Sequence, residues 1–158
     1  TNACAIIVGN AIGSGGKDKA KGYVNQAIRI TVMLGFIVGG LLFFSRGLIL
    51  SYFNITETTR GLAMNILTVL AAVMWLRASN FVLFIGMMRA GGDTRFAWLM
   101  DVVALWGVGV PLALLGVFVL HLPVYYVYLL VMTEEALKFG ISIWRYRSKR
   151  WIHDLVTV

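Results

Sequence analysis

The chain has 158 residues, 59% hydrophobic and only 13% charged, with a net charge of +7 and a mean hydropathy of +0.83. Ordinary globular domains are about 45–50% apolar and about 25% charged, so a water-soluble fold of this composition would expose large apolar patches that aggregate or bind partners. A single cysteine, Cys4, rules out an intrachain disulfide, and basic residues placed at the ends of apolar runs speak against nucleic acid as a partner.

In chain order, the opening TNACAIIVGN has neither an initiator Met nor a basic segment before a short apolar core. It reads as a piece of a longer protein rather than a signal peptide. Residues 3–13 are too short to cross a bilayer and predict the tail of an earlier helix. The glycine-rich turn and polar segment that follow, GSGGKDKAKGYVNQ, start the next helix at the interface.

The second apolar run, Ala27 to Phe44, holds Arg29 near enough to its end to snorkel. Gly35 and Gly39 within it form a small-xxx-small pair that suits close helix contact. The third, Leu62 to Met88, is broken by RASN at 77–80. The fourth, Phe96 to Leu120, contains Asp101 and Pro111, and the fifth, Val124 to Ile143, follows Pro123 at a first-turn position. Each long run meets the requirement of about 20 mainly apolar residues for a span. The predicted fold is therefore an all-α integral membrane protein: an antiparallel transmembrane helix bundle with four full spans plus the end of a fifth.

Lys17, Lys19, Lys21, Arg89, Arg95, Arg145, Arg147, Lys149 and Arg150 fall on one side of this topology, against Arg46 and Arg60 on the other. The asymmetry predicts a cytoplasmic C-terminus, with residues 145–158 as a cytoplasmic tail. Tyr125, Tyr126 and Tyr128 at one end of the last run, and Trp144, Tyr146 and Trp151 at the other, mark two interfaces.

The last run, LLVMTEEALKFGIS at 129–142, carries Glu134, Glu135 and Lys138. Glu134 lies roughly 15 Å from either end of the span by helical rise, too deep for a Glu to snorkel. The spacing places the Lys138 ammonium beside both carboxylates on one face. Each charge costs about 3 kcal/mol at mid-span, so the group should face the bundle or a wet cavity. Three readings stand: a buried ion pair that fixes packing, a proton or cation relay or part of a substrate cavity, and a helix set high enough for the group to meet headgroups.

Arg77, about 17 Å from the nearer end of its run, forms a polar band with Ser79 and Asn80 and needs a carboxylate partner. Glu135 and Asp101 are the candidates. Asp101 itself is shallow enough for an interfacial cap or salt bridge. In WGVGVP at 106–111, Pro111 leaves the Gly107 carbonyl without its helical donor, which predicts a kink at Gly107 and Pro111. No Cys/His ligand cluster, phosphate loop or Ser-His-Asp set is visible, and His121 and His153 are isolated, so the sequence offers no enzyme site, metal centre or cofactor.

Several stretches together resemble the multidrug and toxic compound extrusion (MATE) family of cation-coupled antiporters. They are VGNAIGSGGKDKAK at 8–21, RAGGDTRF at 89–96, WGVGVPLA at 106–113 and SKRWI at 148–152. The resemblance implies a plasma-membrane transporter of twelve helices in two six-helix lobes around a central cavity. This chain would supply the end of helix eight and helices nine to twelve, with the N-terminal lobe as its partner. It further implies export of a small-molecule substrate, a drug or other cationic or amphipathic compound, driven by Na+ or H+. The family's acidic ligand in helix ten has no counterpart, since residues 62–88 contain no Asp or Glu. The coupling ion therefore stays open between Na+ and H+, and Glu134, Glu135, Lys138, Arg77, Asn80 and Asp101 are pathway candidates from burial alone. In RAGGDT, Gly91 and Gly92 permit a tight reversal, Asp93 is expected to cap the next helix, and Arg89 and Arg95 to anchor its two ends at headgroups. A flippase of a lipid-linked or polysaccharide substrate and a non-transporting helical scaffold are the rival readings.

Overall fold

The computed structural model describes residues 2–148 and Trp151. The tail residues Lys149 and Arg150, His153, and most of the SKRWI and 145–158 expectations lie outside the described residues. Six helices follow one another: α1 (Asn2–Gly13), α2 (Lys17–Ser51), α3 (Glu57–Arg89), α4 (Thr94–Val119), α5 (Val124–Val131) and α6 (Thr133–Arg147). Among the described residues there is no strand. Three helices, α2, α3 and α4, are each long and apolar enough to cross a membrane without interruption.

Helix starts and stops follow local chemistry. After α1 the chain reverses through Gly15 at φ 77°, a left-handed position that glycine occupies without strain, and the amides of Gly15 and Gly16 close onto the Ile12 and Ala11 carbonyls. Helix α2 then begins at Lys17, well before its apolar run, because the polar segment is helical too. At the head of α3, Thr56 accepts a hydrogen bond from the Thr59 amide and Glu57 complements the helix dipole.

Large apolar side chains such as Phe36, Leu41, Phe44 and Leu48 on α2 and Trp106 and Phe118 on α4 point outward. Such a surface is stable only where the solvent is itself apolar. In lipid, helix association depends on close packing rather than on apolar burial, and the α2–α3 seam shows how this is met. A Cβ on Gly35 would collide with the backbone of Trp75, and one on Gly39 would meet the Ala71 carbonyl oxygen at 2.5 Å. The Gly35/Gly39 pair is thus the closest point of that crossing. Phe36 stacks on Trp75 beside it, and Arg46 donates to Thr68 Oγ1 nearer the far end.

Two expectations about helix continuity change. The RASN band does not interrupt α3: Ser79 Oγ donates to the Trp75 carbonyl and the α-helix runs on to Phe81. The departure comes later, as wide π-helical turns over Val82–Arg89. In α4 the chain stays helical through Pro111, and the missing amide is accommodated by wide turns at Leu105–Gly109, where the Val110 amide reaches back to the Leu105 carbonyl, with a second set at Leu115–Val119. Conversely, the last run, expected as one helix, divides at Met132 into α5 and α6. Met132 has ψ −11°, the Thr133 hydroxyl donates to the Leu130 carbonyl, and the Glu135 amide closes a tighter turn onto the Met132 carbonyl.

The apolar core lies at one end of the bundle, where Val8 of α1, Val24 of α2, and Leu83, Met87 and Met88 of the π-helical part of α3 surround the fully buried Trp151. Gly91 admits Trp151, because a Cβ there would overlap the Trp151 backbone carbonyl. Gly39→Ala should lower the unfolding free energy of the detergent-solubilised full-length protein by about 1–3 kcal/mol through overpacking. Gly40→Ala, with open space around it, should stay within about 0.5 kcal/mol. Equal effects in chemical denaturation would show that the seam does not depend on this contact.

Candidate functional site

The break at Met132 sets the chemistry of the site. It makes Glu134 and Glu135 first-turn residues of a new helix, so both carboxylates lie near the positive end of a helix dipole, an interaction of about 0.3–1 kcal/mol each. An uninterrupted helix would deny them this at the same depth.

The two carboxylates diverge from there. Glu135 turns to α3, where Asn80 Nδ2 donates to its Oε2 at 2.6 Å and to its backbone carbonyl at 2.9 Å, while Arg77 Nε stands 3.7 Å from Oε1. Glu134 stays with Lys138, its Oε1 3.5 Å from the ammonium, and Lys138 reaches across to Asp101 of α4 at 2.8 Å. Of the two carboxylates that the spacing sets beside Lys138, Glu134 forms the ion pair; Lys138 also reaches Asp101, while Glu135 is held by Arg77 and Asn80. Of the two partners open to Arg77, Glu135 is the one used. Asp101 forms the salt bridge foreseen for it.

Glu134 and Lys138 are each only 6% exposed. Gly109 makes room for Glu134, since a Cβ on it would overlap the carboxylate oxygen Oε2. Gly107, singled out in the sequence, has only a Val103 methyl near it. Gly109 is the glycine that shapes the site, and the GVG spacing alone did not separate the two.

These groups border a cavity of about 530 Å³ between α3, α4 and α6. Arg77, Asn80, Asp101, Glu135 and Lys138 all line it, with Glu134 buried behind Lys138. Phe81, Phe84 and Trp98 provide its apolar wall, and Arg89 and Thr94 stand toward the end that carries the RAGGDT turn. Arg89 also lines the cavity.

A second buried ion pair closes that end. Asp93 occupies the position ahead of α4 but makes no side-chain cap bond. Its carboxylate accepts from Arg145 Nε at 2.7 Å, and the Arg145 guanidinium lies over the Phe96 ring at 4.3 Å. The cap expected of Asp93 is therefore replaced by a tie between the α3–α4 turn and the end of α6. Arg145 was read only as one of many basic residues, and no local signal in the sequence marks its pairing with a residue 52 positions earlier.

The MatE family model matches residues 1–115. The chain belongs to the MatE family. Arg77, Asn80 and Asp101 lie inside the matched stretch of this MatE chain, and Glu134, Glu135 and Lys138 beyond it. The chain is similar to the probable multidrug resistance protein YoeA of Bacillus subtilis (strain 168), 31% identical over 118 residues that cover 70% of this chain and 24% of that protein. It is also similar to the uncharacterized transporter C4B3.13 of Schizosaccharomyces pombe, 24% identical over 151 residues, 96% of this chain and 28% of that protein. The MatE chain thus spans about a quarter of the length of these relatives. No solved structure matches it significantly.

Removing one partner of a buried ion pair costs up to about 3–5 kcal/mol. Arg145→Met should destabilise the full-length protein by an amount in that range, and Asp93→Asn with Arg145→Met should recover most of the loss. A double-mutant cycle in denaturant that shows no coupling would remove the Asp93–Arg145 tie from the account.

Proposed function

We propose that this MatE chain is most of the second lobe of a cation-coupled antiporter that exports cationic or amphipathic compounds by alternating access. The N-terminal lobe of the same protein would be its partner and Na+ or H+ the coupling ion. The observation that carries this reading is the convergence of five polar candidates from three helices on one cavity in a membrane bundle. Charged side chains within a membrane are expensive unless they face such a space. The aromatic wall offers contact area that tolerates varied amphipathic ligands, and the similar Bacillus protein is named as a probable multidrug resistance protein. The protein would sit in the cell membrane, and the distribution of Lys and Arg supports an orientation with the Asp93–Arg145 end and the C-terminus on the cytoplasmic side.

A flippase for an anionic lipid-linked substrate has one observation in its favour. The cavity is lined by three basic residues, Arg77, Arg89 and Lys138, against two acidic ones, Asp101 and Glu135. Two of those three bases are already paired with carboxylates, which leaves the aromatic wall as the larger recognition surface and favours drug export.

Glu134→Gln in the full-length protein should reduce ion-gradient-driven export of a panel of cationic dyes from cells severalfold, with expression reduced far less. Dye export at the wild-type rate with normal ion dependence would leave Glu134 a packing residue and remove it from the coupling machinery.

A further inference from the structure

We propose that Asp101 and Glu134 form a monovalent-cation site in which the Lys138 ammonium is the resident cation, and that the coupling ion, a proton or Na+, enters by displacing Lys138 toward the cavity. The proposal rests on the coupled-antiport reading and names the place where the ion exchanges.

Geometry carries it. Lys138 belongs to α6, yet its shortest contact, 2.8 Å, is to Asp101 on α4, while Glu134 on its own helix is at 3.5 Å. One ammonium is therefore shared between carboxylates of two helices, and the trio carries one negative charge more than it cancels. A single monovalent cation removes that excess. Among the described residues, Glu134 Oε2 is buried without a hydrogen-bond partner, and so is Asn80 Oδ1 at the edge of the same cavity. Both residues are more than nine-tenths buried. Within the site Glu134 Oε2, which lies against Gly109, is thus an unused acceptor that an added proton or a hard cation would satisfy. No three acidic side chains among the described residues gather as a metal cage, so the charge suits a monovalent ion and not a divalent one.

The other charged groups around Lys138 do not fill its place. On α3, Arg77 is engaged by Glu135, and Arg89 lines the cavity without reaching ion-pair distance of either carboxylate. Glu135 on α6 is held by Asn80. The cavity gives the displaced ammonium a wet volume to enter, while Asp101, 68% exposed in its side chain, gives the arriving ion a route from that volume. Because the Lys138–Asp101 contact joins α6 to α4, ion arrival would release one helix from the other. The proton step is a transfer from hydronium to a carboxylate oxygen, which leaves a neutral carboxyl group and a water molecule.

The test reads the freedom of Lys138 directly. The full-length protein in detergent is acylated with acetic anhydride, and modification of Lys138 is measured by mass spectrometry relative to the exposed Lys19 in the same sample. Na+ is exchanged for choline at constant ionic strength in mildly alkaline and mildly acidic buffer. The expected result is a severalfold rise in the Lys138/Lys19 ratio on adding Na+ or on acidification. A response to Na+ alone identifies the ion as Na+, and a response to acid alone as the proton. Asp101→Asn with Glu134→Gln should give a high ratio that responds to neither. Should that double variant fail to fold, Glu134→Gln alone should show the same loss of response. A wild-type ratio indifferent to both ions overturns the proposal. No exported compound is needed, so an intact ion response beside absent dye export would reject the export reading alone.

Discussion

The carboxylates of α6 stand inside an apolar bundle because each is answered by a cation, Glu135 by one from α3 and Glu134 by one from its own helix. Glu135 is held by Asn80 and Arg77 of α3, and Glu134 shares Lys138 with Asp101 of α4. An unpaired carboxylate in this position would neutralise itself or drive the helix out of register. The mutual position of α3, α4 and α6 is consequently set by charge as well as by shape. The break at Met132 belongs to the same requirement, since it offers a helix start to the two Glu residues that most need one.

Around that polar centre the bundle uses two different adhesives. At the α2–α3 seam, contact is backbone on backbone, permitted by Gly35 and Gly39. At the RAGGDT end it is a buried apolar cluster closed by Trp151, with the Asp93–Arg145 pair beside it. The apolar cluster adjoins the cavity through Ala97 and through Phe84, the latter on the stretch of α3 where wide turns replace regular helix. Such turns leave carbonyls and side chains out of the regular register and are frequent where function needs space.

Composition and charge pattern made the membrane class and the helical runs legible, because lipid imposes lengths and end-group preferences that a sequence displays openly. The polar candidates were legible for the same reason: Arg77, Asn80, Asp101, Glu134, Glu135 and Lys138 stood out against apolar surroundings. Their partnerships were not. Whether Lys138 turns to Glu135 or to Asp101 depends on which neighbouring helix faces it, and spacing along one helix carries no information about that. Helix breaks were misplaced for a related reason. RASN looked disruptive but can satisfy itself by bonding one turn back, whereas the apolar residues at Val82–Arg89 and Met132 gave no compositional sign of altered backbone. Gly109 and Arg145 were missed because their importance lies in what approaches them from elsewhere in the chain.

Trp151 packs in a core whose other members come from α1, α2, α3 and α4. During synthesis those helices emerge first, and the indole that fills the space between them follows only after α6. The bundle end is therefore a lid fitted after assembly, and until translation reaches that tryptophan the nascent helices share an open, greasy socket that a chaperone or the insertion machinery must shield.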